Sequence, residues 1–241
     1  MIPKIIHYCW FGKNPLPTLT KKCIESWKKY CPDYQIIEWN EDNFDVNANR
    51  YVKEAYEAKK WAFVSDVARL HAMVNYGGIY MDTDMEVIKS LDELLTLQAV
   101  TGFESGELVA AGIMACEKND PFFVEFLKSY ENDAFIKEDG SMNLNTNVTR
   151  LTELCKKYGL QFNNEKQTVN GCTVFPSDYF YPKSWDSSKV NLTENTYTIH
   201  HYDGSWLPKD RKFVQWVARV FGKKFLGFLV RVKHFFKGKR A

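Results

Sequence analysis

Short apolar runs alternate with stretches of helical periodicity along most of the chain, and turn residues separate them. Lys4 to Trp10 reads as a buried first strand, closed by Gly12 and the Asn14-Pro15-Leu16-Pro17 turn. Thr20 opens a helix that runs to about Tyr30. Tyr34 to Trp39 alternates between Pro32 and Asn40-Glu41-Asp42-Asn43 and reads as a second strand. From Tyr51 to Asn75 the apolar positions Ala55, Ala58, Ala62, Val67, Leu70 and Val74 recur at helical spacing, and Gly77-Gly78 supplies a left-handed stop. Ile79-Tyr80-Met81 then forms a short apolar strand that ends in Asp82-Thr83-Asp84. Farther on, the pattern predicts a strand over Val109–Cys116, a helix over Pro121–Tyr130 opened by Asp120, and a helix over Val148–Lys157. Phe175 to Pro182 reads as an aromatic loop and Tyr197 to His201 as a late strand. This alternation of strands and helices predicts an α/β domain with a mostly parallel central sheet.

With 241 residues, 45% apolar and 15% aromatic content, the chain has enough material for one large core. The formal charge of +2 conceals an asymmetry: residues 211–241 hold ten Lys/Arg and no Asp/Glu, which leaves 22 basic against 30 acidic residues before them. We therefore divide the chain into a catalytic-size body, 1–210, and a basic tail, 211–241. An acidic body argues against nucleic acid as its partner. Six cysteines without a CxxC pair read as reduced, buried thiols. No basic region followed by an apolar stretch precedes the first strand, so the chain is expected in the cytoplasm.

Asp82-x-Asp84 places two hard oxygen ligands at the carboxyl end of a strand, where open α/β sheets bind ligands. Such a pair suits Mg²⁺ or Mn²⁺ bridging to a diphosphate. Asp66 and Arg69, three apart on the preceding helix, share a face and form a candidate ion pair; the apolar residues around them bury it in part, so it needs further partners, for which a ribose hydroxyl and a phosphate are suitable. His200-His201-Tyr202-Asp203-Gly204-Ser205-Trp206 gathers imidazole, hydroxyl and indole donors in one turn, where an imidazole can complete a metal shell. His7 and Trp10 follow the same logic at the end of the first strand, Trp10 offering a face on which a base can stack.

Three segments, in order, carry a family resemblance: Ile2-Pro3-Lys4-Ile5-Ile6-His7-Tyr8-Cys9-Trp10, Ser65-Asp66-Val67-Ala68-Arg69, and Tyr76-Gly77-Gly78-Ile79-Tyr80-Met81-Asp82-Thr83-Asp84. Over most of residues 2–210 the chain resembles the DXD sugar transferases of glycosyltransferase family 32, which include capsule and surface-polysaccharide enzymes and are distantly similar to the clostridial glucosylating toxins. The resemblance implies a GT-A fold, a divalent cation, a nucleotide-sugar donor (a UDP-sugar is expected) and transfer of a hexose with retention of configuration. By position it implies Asp66 and Arg69 on the donor's ribose and sugar, Asp82 and Asp84 on metal and diphosphate, and Trp10 on the base, with His7 and Tyr80 beside them. His201 would meet the metal, His200 being equally allowed by register, and Ser205 and Trp206 the diphosphate. The acceptor would be a glycan or a lipid-linked oligosaccharide in surface polysaccharide synthesis.

In the tail, Val217, Phe221, Phe225, Phe228, Val232 and Phe235 recur every three or four residues and form one aromatic stripe among lysines and arginines. Its longest apolar run, Phe225–Val230, falls far below the roughly 20 residues of a spanning helix, so the tail is expected to lie on an anionic membrane, placing the enzyme peripherally on the inner face. The same stripe would alternatively pack on the body or on a second copy in a homodimer. Two other functions fit parts of the sequence. A strand ending in Asp-x-Asp also resembles the nucleophile loop of haloacid dehalogenase-type phosphatases, but those place it on their first strand. A non-catalytic membrane-binding module would account for the tail and leave the acidic pair unexplained.

Overall fold

The computed structural model describes residues 1–105, 107–204, 214 and 216. In chain order the elements are β1 (Ile5–Cys9), α1 (Thr18–Tyr30), β2 (Gln35–Trp39), α2 (Arg50–Glu57), α3 (Trp61–Tyr76), β3 (Gly78–Met81) and β4 (Met85–Val87). After a 3₁₀ turn (Asp92–Thr96) follow β5 (Ala99–Ser105), β6 (Leu108–Cys116), α4 (Pro121–Lys128), α5 (Asn147–Lys157), β7 (Gln167–Val169), β8 (Cys172–Phe175), α6 (Ser177–Phe180) and β9 (Thr198–His200). Seven strands form one sheet in the order β2-β1-β3-β6-β5-β8-β7, and β4 and β9 form a separate two-stranded ribbon. The α/β domain expected from the alternation of elements is what forms. Its sheet is mixed: β2, β1 and β3 run parallel, as do β5 and β8, whereas β6 runs antiparallel to both of its neighbours and β7 antiparallel to β8.

Both faces of the sheet are covered, which is why β3 and β6 read as continuous apolar runs rather than alternating ones. Side chains nevertheless divide between the two faces. Ile6, Tyr8, Ile79 and Met81 enter the core beneath α1, with Trp27 and Leu94, while Cys9, Tyr80, Ala111 and Met114 enter the core beneath α3. α3 packs on β1 and β3 and carries α2 and α4 on its other sides, so ten of its 16 residues are buried, among them Asp66 and Arg69. Among the described residues no helix is long and apolar enough to cross a membrane.

The single helix expected over Tyr51–Asn75 is two helices. Lys59 adopts a left-handed φ of 55° and Lys60 caps α3 with an extended-side ψ of 67°, so the chain turns between Glu57 and Trp61. The apolar spacing continues across the break because both helices face the same core, and periodicity alone does not register the turn. The aromatic loop expected at Phe175–Pro182 is also more regular than its composition, contributing the end of β8 and the short helix α6.

Gly77 ends α3 as the glycine pair in the sequence anticipated. Its φ is 67°, and a Cβ there would lie 2.7 Å from the Lys118 backbone nitrogen. Its carbonyl also meets the ring of His7. Gly77→Ala is accordingly expected to lower unfolding free energy by about 2 kcal/mol or more, combining left-handed strain with a backbone clash. Chemical denaturation measures this, and an unchanged midpoint would show that the turn relaxes without cost.

Candidate active site

The carboxyl ends of β1 and β3 converge with the middle of β6, and the chain leaves β3 directly into Asp82. The Asp82 backbone N–H donates to the Gly112 carbonyl at 2.8 Å, which prolongs the β3–β6 ladder and fixes where the carboxylate starts. Its Oδ1 accepts from the Tyr80 hydroxyl at 2.8 Å and lies 3.2 Å from Arg69 Nη1. Arg69 Nη2 lies 3.2 Å from Asp66 Oδ1, so one guanidinium joins the carboxylate on α3 to the one after β3. The same group donates through Nη1 to the Ala111 carbonyl at 2.9 Å and through Nε to the Ser65 carbonyl at 3.2 Å, and it stands 4.4 Å over the Tyr80 ring. Two carboxylates, two carbonyls and an aromatic face thus surround the guanidinium, which is how a buried charge remains tolerable. Burial pushes the Asp66 carboxyl up, and although Arg69 opposes this, its pKa stands at about 6.

Asp84 anchors the other side of the site. Its Oδ1 lies 3.2 Å from His200 Nε2, its Oδ2 accepts from the Asp203 backbone N–H at 2.8 Å, and its carbonyl accepts from the His201 N–H at 3.0 Å. The turn after β9 therefore wraps around this one residue. Tyr202, at a left-handed φ of 53°, makes the wrap and lays its ring 4.0 Å from that of His200. Burial pushes Asp84 up, yet the adjacent His200 and the amide of Asp203 more than offset it and hold its carboxyl at about 2. Burial correspondingly disfavours the charged form of His200, but Asp84, Asp82 and Glu104 outweigh that and raise its pKa.

Ligand atoms of Asp82, Asp84 and His200 all lie within 4.8 Å of one another. Two carboxylate oxygens and an imidazole nitrogen suit a divalent cation such as Mn²⁺ or Mg²⁺. Two further observations fit a cation. His200 Nδ1 is buried without a hydrogen-bond partner among the described residues. Gly112 also leaves open the space in which a Cβ would come 3.2 Å from Asp82 Oδ2 and 3.1 Å from the Tyr181 hydroxyl.

Of the two adjacent histidines, it is His200 that stands with the aspartates. His201 points its Nε2 at Glu86, 2.8 Å away, because neighbouring residues of an extended segment face opposite ways. His7, expected beside the donor, is fully buried: its Nδ1 accepts from the Trp39 indole at 3.1 Å, and its Nε2 lies 2.8 Å from the Gly77 carbonyl. A carbonyl can only accept, so His7 is held as the neutral Nε2–H tautomer, consistent with burial lowering its pKa, and it serves as a bracket between β1, β2 and the end of α3. Tyr80 is likewise buried and acts on Asp82 and Arg69. Trp10 is partly exposed at the end of β1, its indole N–H donating to the Asn14 carbonyl at 2.6 Å. Ser205 and Trp206 lie outside the described residues, as does the tail stripe from Val217 to Phe235.

Four neighbours of the site escaped the sequence reading. Glu104, at the end of β5, hydrogen-bonds Tyr202 and sits in the field of His200 and Asp82, with burial raising its pKa. Tyr181 accepts from the Ile113 N–H at 3.0 Å and sets its ring edge-on to His200 at 5.7 Å. Gly112 and Asn147 complete the set. Only the isolated glycine within an apolar strand carried a signal, as a mark of close approach.

Residues 17–101 match the family model described as a glycosyltransferase sugar-binding region containing a DXD motif. Among relatives, inositol phosphoceramide mannosyltransferase 3 of Schizosaccharomyces pombe is 28% identical over 142 residues, covering 56% of this chain and 38% of that protein. An uncharacterized glycosyltransferase of Acanthamoeba polyphaga mimivirus is 26% identical over 242 residues, covering 95% of this chain and 92% of that one. Among solved structures, a glycosyltransferase involved in the glycosylation of the major capsid of PBCV-1 aligns with a TM-score of 0.45 at 9% identity, over 82% of this chain and 93% of that one. The chain spans less than half the length of the first curated relatives it matches. The matched segment holds Asp66, Arg69, Asp82 and Asp84, so these four residues of the array lie within the part of the chain that is similar to the DXD sugar-binding region of glycosyltransferases.

Proposed function

We propose that this chain is a metal-dependent glycosyltransferase that moves a hexose from a nucleotide-sugar, a UDP-sugar in the first instance, to a glycan or lipid-linked acceptor with retention of configuration. The observation that carries the reading is the continuity of one charged array. Asp66, Arg69 and Asp82 are joined by ion pairs at 3.2 Å, and Asp82 in turn groups with Asp84 and His200. In this reading Asp82, Asp84 and His200 would hold the cation, which supplies positive charge to the leaving diphosphate. Asp66 holds donor hydroxyls. Arg69 orients both carboxylates so that donor and metal sites keep a fixed separation, and Trp10 receives the base. Tyr80, by donating to Asp82 Oδ1, restricts the directions in which that carboxylate can turn. The buried donors are aimed before any ligand arrives, so stabilising a leaving group entails little reorganisation.

The acceptor and the setting rest on other grounds. The S. pombe relative is named for action on inositol phosphoceramide, a lipid, and residues 211–241 supply ten basic residues around an aromatic stripe. Together these favour a lipid-linked acceptor met at an anionic inner membrane face, with the enzyme peripheral on it. Surface polysaccharide synthesis is the role that the resemblance to capsule enzymes implies.

Donor hydrolysis, assayed with UDP- and GDP-sugars in Mn²⁺, tests the chemistry. Asp84→Asn is expected to lose more than the tenfold that corresponds to about 1.4 kcal/mol of barrier, and EDTA should abolish turnover until Mn²⁺ is restored. Mn²⁺ should raise the melting temperature of the unaltered chain but not that of Asp84→Asn, since a ligand stabilises only the state that binds it. Equal responses of the two would remove Asp84 from the metal site.

Flotation with vesicles tests the setting. The full chain should float with phosphatidylglycerol vesicles at low salt, each basic residue contributing on the order of 1 kcal/mol near the surface. A chain ending at Asp210 should stay in solution while keeping donor hydrolysis. A full chain that ignores such vesicles would instead assign the aromatic stripe to packing on the body or on a second copy.

A further inference from the structure

Asp66 is bound from two directions, and only one of them belongs to the array already described. Opposite Arg69, the carboxylate faces the first turn of α5. The Asn147 backbone N–H points at Asp66 Oδ2 over 3.4 Å, and the Asn147 side-chain Nδ2 donates to the Asp66 carbonyl at 3.1 Å. Asn147 is 2% exposed and does not float in this position, because its Oδ1 accepts from the buried Tyr130 hydroxyl at 2.7 Å. Arg150, one turn farther along α5, stacks 4.2 Å from the Tyr130 ring and pairs with Asp133. The start of α5 is thus clamped to the segment after α4, and it presents one backbone donor and one amide to a single residue of α3.

We propose that Asn147 is a positioning residue for Asp66, fixing the carboxylate so that one oxygen braces Arg69 while the residue keeps its place toward the donor. The proposal rests on the donor-binding reading of Asp66 given above. Its physical basis is that a carboxylate on a helix interior retains freedom about its side-chain torsions, and a single ion pair to Arg69 removes only part of it. An N–H at a helix start carries no intrahelical partner and the positive end of the helix dipole, so it favours the ionised carboxylate. The charged and titratable groups facing Asp66 are Arg69 on its own helix, Asp82 after β3, Arg150 on α5, the Cys9 thiol on β1, and the hydroxyls of Tyr51 on α2 and Tyr130 after α4. Burial and Asp82 push its carboxyl up, whereas Arg69, the Asn147 N–H and Arg150 draw it down.

Position 147 permits a selective test because it is the first residue of α5, where proline is compatible with the helix, and Thr146 before it already has the extended backbone that proline requires, with φ −79° and ψ 163°. Asn147→Ala removes the side-chain amide and keeps the N–H. Asn147→Pro removes both and sets a ring methylene at Asp66 Oδ2. Tyr130→Phe loosens the amide from a distance. Calorimetric titration in Mn²⁺, with UDP or GDP, whichever the unaltered chain binds, should give a Kd about threefold weaker for Asn147→Ala and Tyr130→Phe, and about tenfold weaker or more for Asn147→Pro. The ratio of Pro to Ala affinities should widen as pH falls from 8 to 6, since losing the donor raises a carboxyl already at about 6 and protonates it earlier. Taking the ratio cancels the titration of His200, which both variants share. Melting temperatures of all three are measured alongside.

If affinity per folded molecule is unchanged while the variants melt lower, Asn147 is only a structural joint and the proposal is overturned. A Pro-to-Ala ratio flat with pH overturns it as well. Asp66→Asn separates the two levels: weakened binding there with unaffected position-147 variants defeats the positioning role alone. Unweakened binding by Asp66→Asn, or binding of neither diphosphate by the unaltered chain, removes the donor reading and this proposal with it.

Discussion

The guanidinium of Arg69 is the constraint on which the site depends. It is buried, it touches the carboxylates of Asp66 and Asp82 at 3.2 Å each, and it donates as well to the carbonyls of Ala111 and Ser65. Those groups belong to α3, to the end of β3 and to β6. A single planar cation with five donors can satisfy such a set where a lysine ammonium could not. Because a buried charge left without partners costs several kcal/mol, the three elements are coupled. A displacement of any one breaks a contact to this buried charge.

That coupling requires α3 to lie close to the sheet and to be covered on its outer sides. Ala68 and Ala72 allow the approach, and α2 and α4 supply the cover. The same burial that strengthens the ion pairs raises the carboxyl of Asp66, so its surroundings hold two opposing tendencies in balance. Asp84 experiences the opposite outcome only 18 residues away in sequence, with His200 and a backbone amide holding its carboxyl at about 2. One aspartate is therefore poised near neutrality while another is firmly ionised, a separation of protonation behaviour typical of sites built for charge handling.

The third component is the turn after β9, whose backbone wraps Asp84 and brings His200 between the rings of Tyr181 and Tyr202. Pairing of β4 with β9 sets Met85 opposite His200, so the imidazole arrives at the aspartates through strand register rather than sequence proximity. Gly112 and Tyr181 shape the space beside Asp82 from β6 and from the end of α6. The array is thus assembled from segments more than a hundred residues apart, each positioned by ordinary sheet and helix packing.

What the sequence determined by itself follows from local rules. Apolar period and turn residues placed β1, α1, β2, β3, β6, α4, α5 and β9 close to where they form, since each is set by neighbours within a few positions. Asp66 and Arg69 had to share a face at a spacing of three, and Asp82 and Asp84 had to leave the end of an apolar strand together. Tertiary structure decided the rest. The break at Lys59 is invisible to a periodicity that both flanking helices satisfy against the same core. The choice of His200 over His201 depends on the pairing of β9 with a strand far upstream. The burial of His7 depends on Trp39 and Gly77, and the presence of Glu104, Gly112 and Asn147 at the site depends on contacts across some 20 to 100 residues. A side chain's type and local spacing state what it can bind, but only the packing of distant elements fixes which of its atoms remain free to do so.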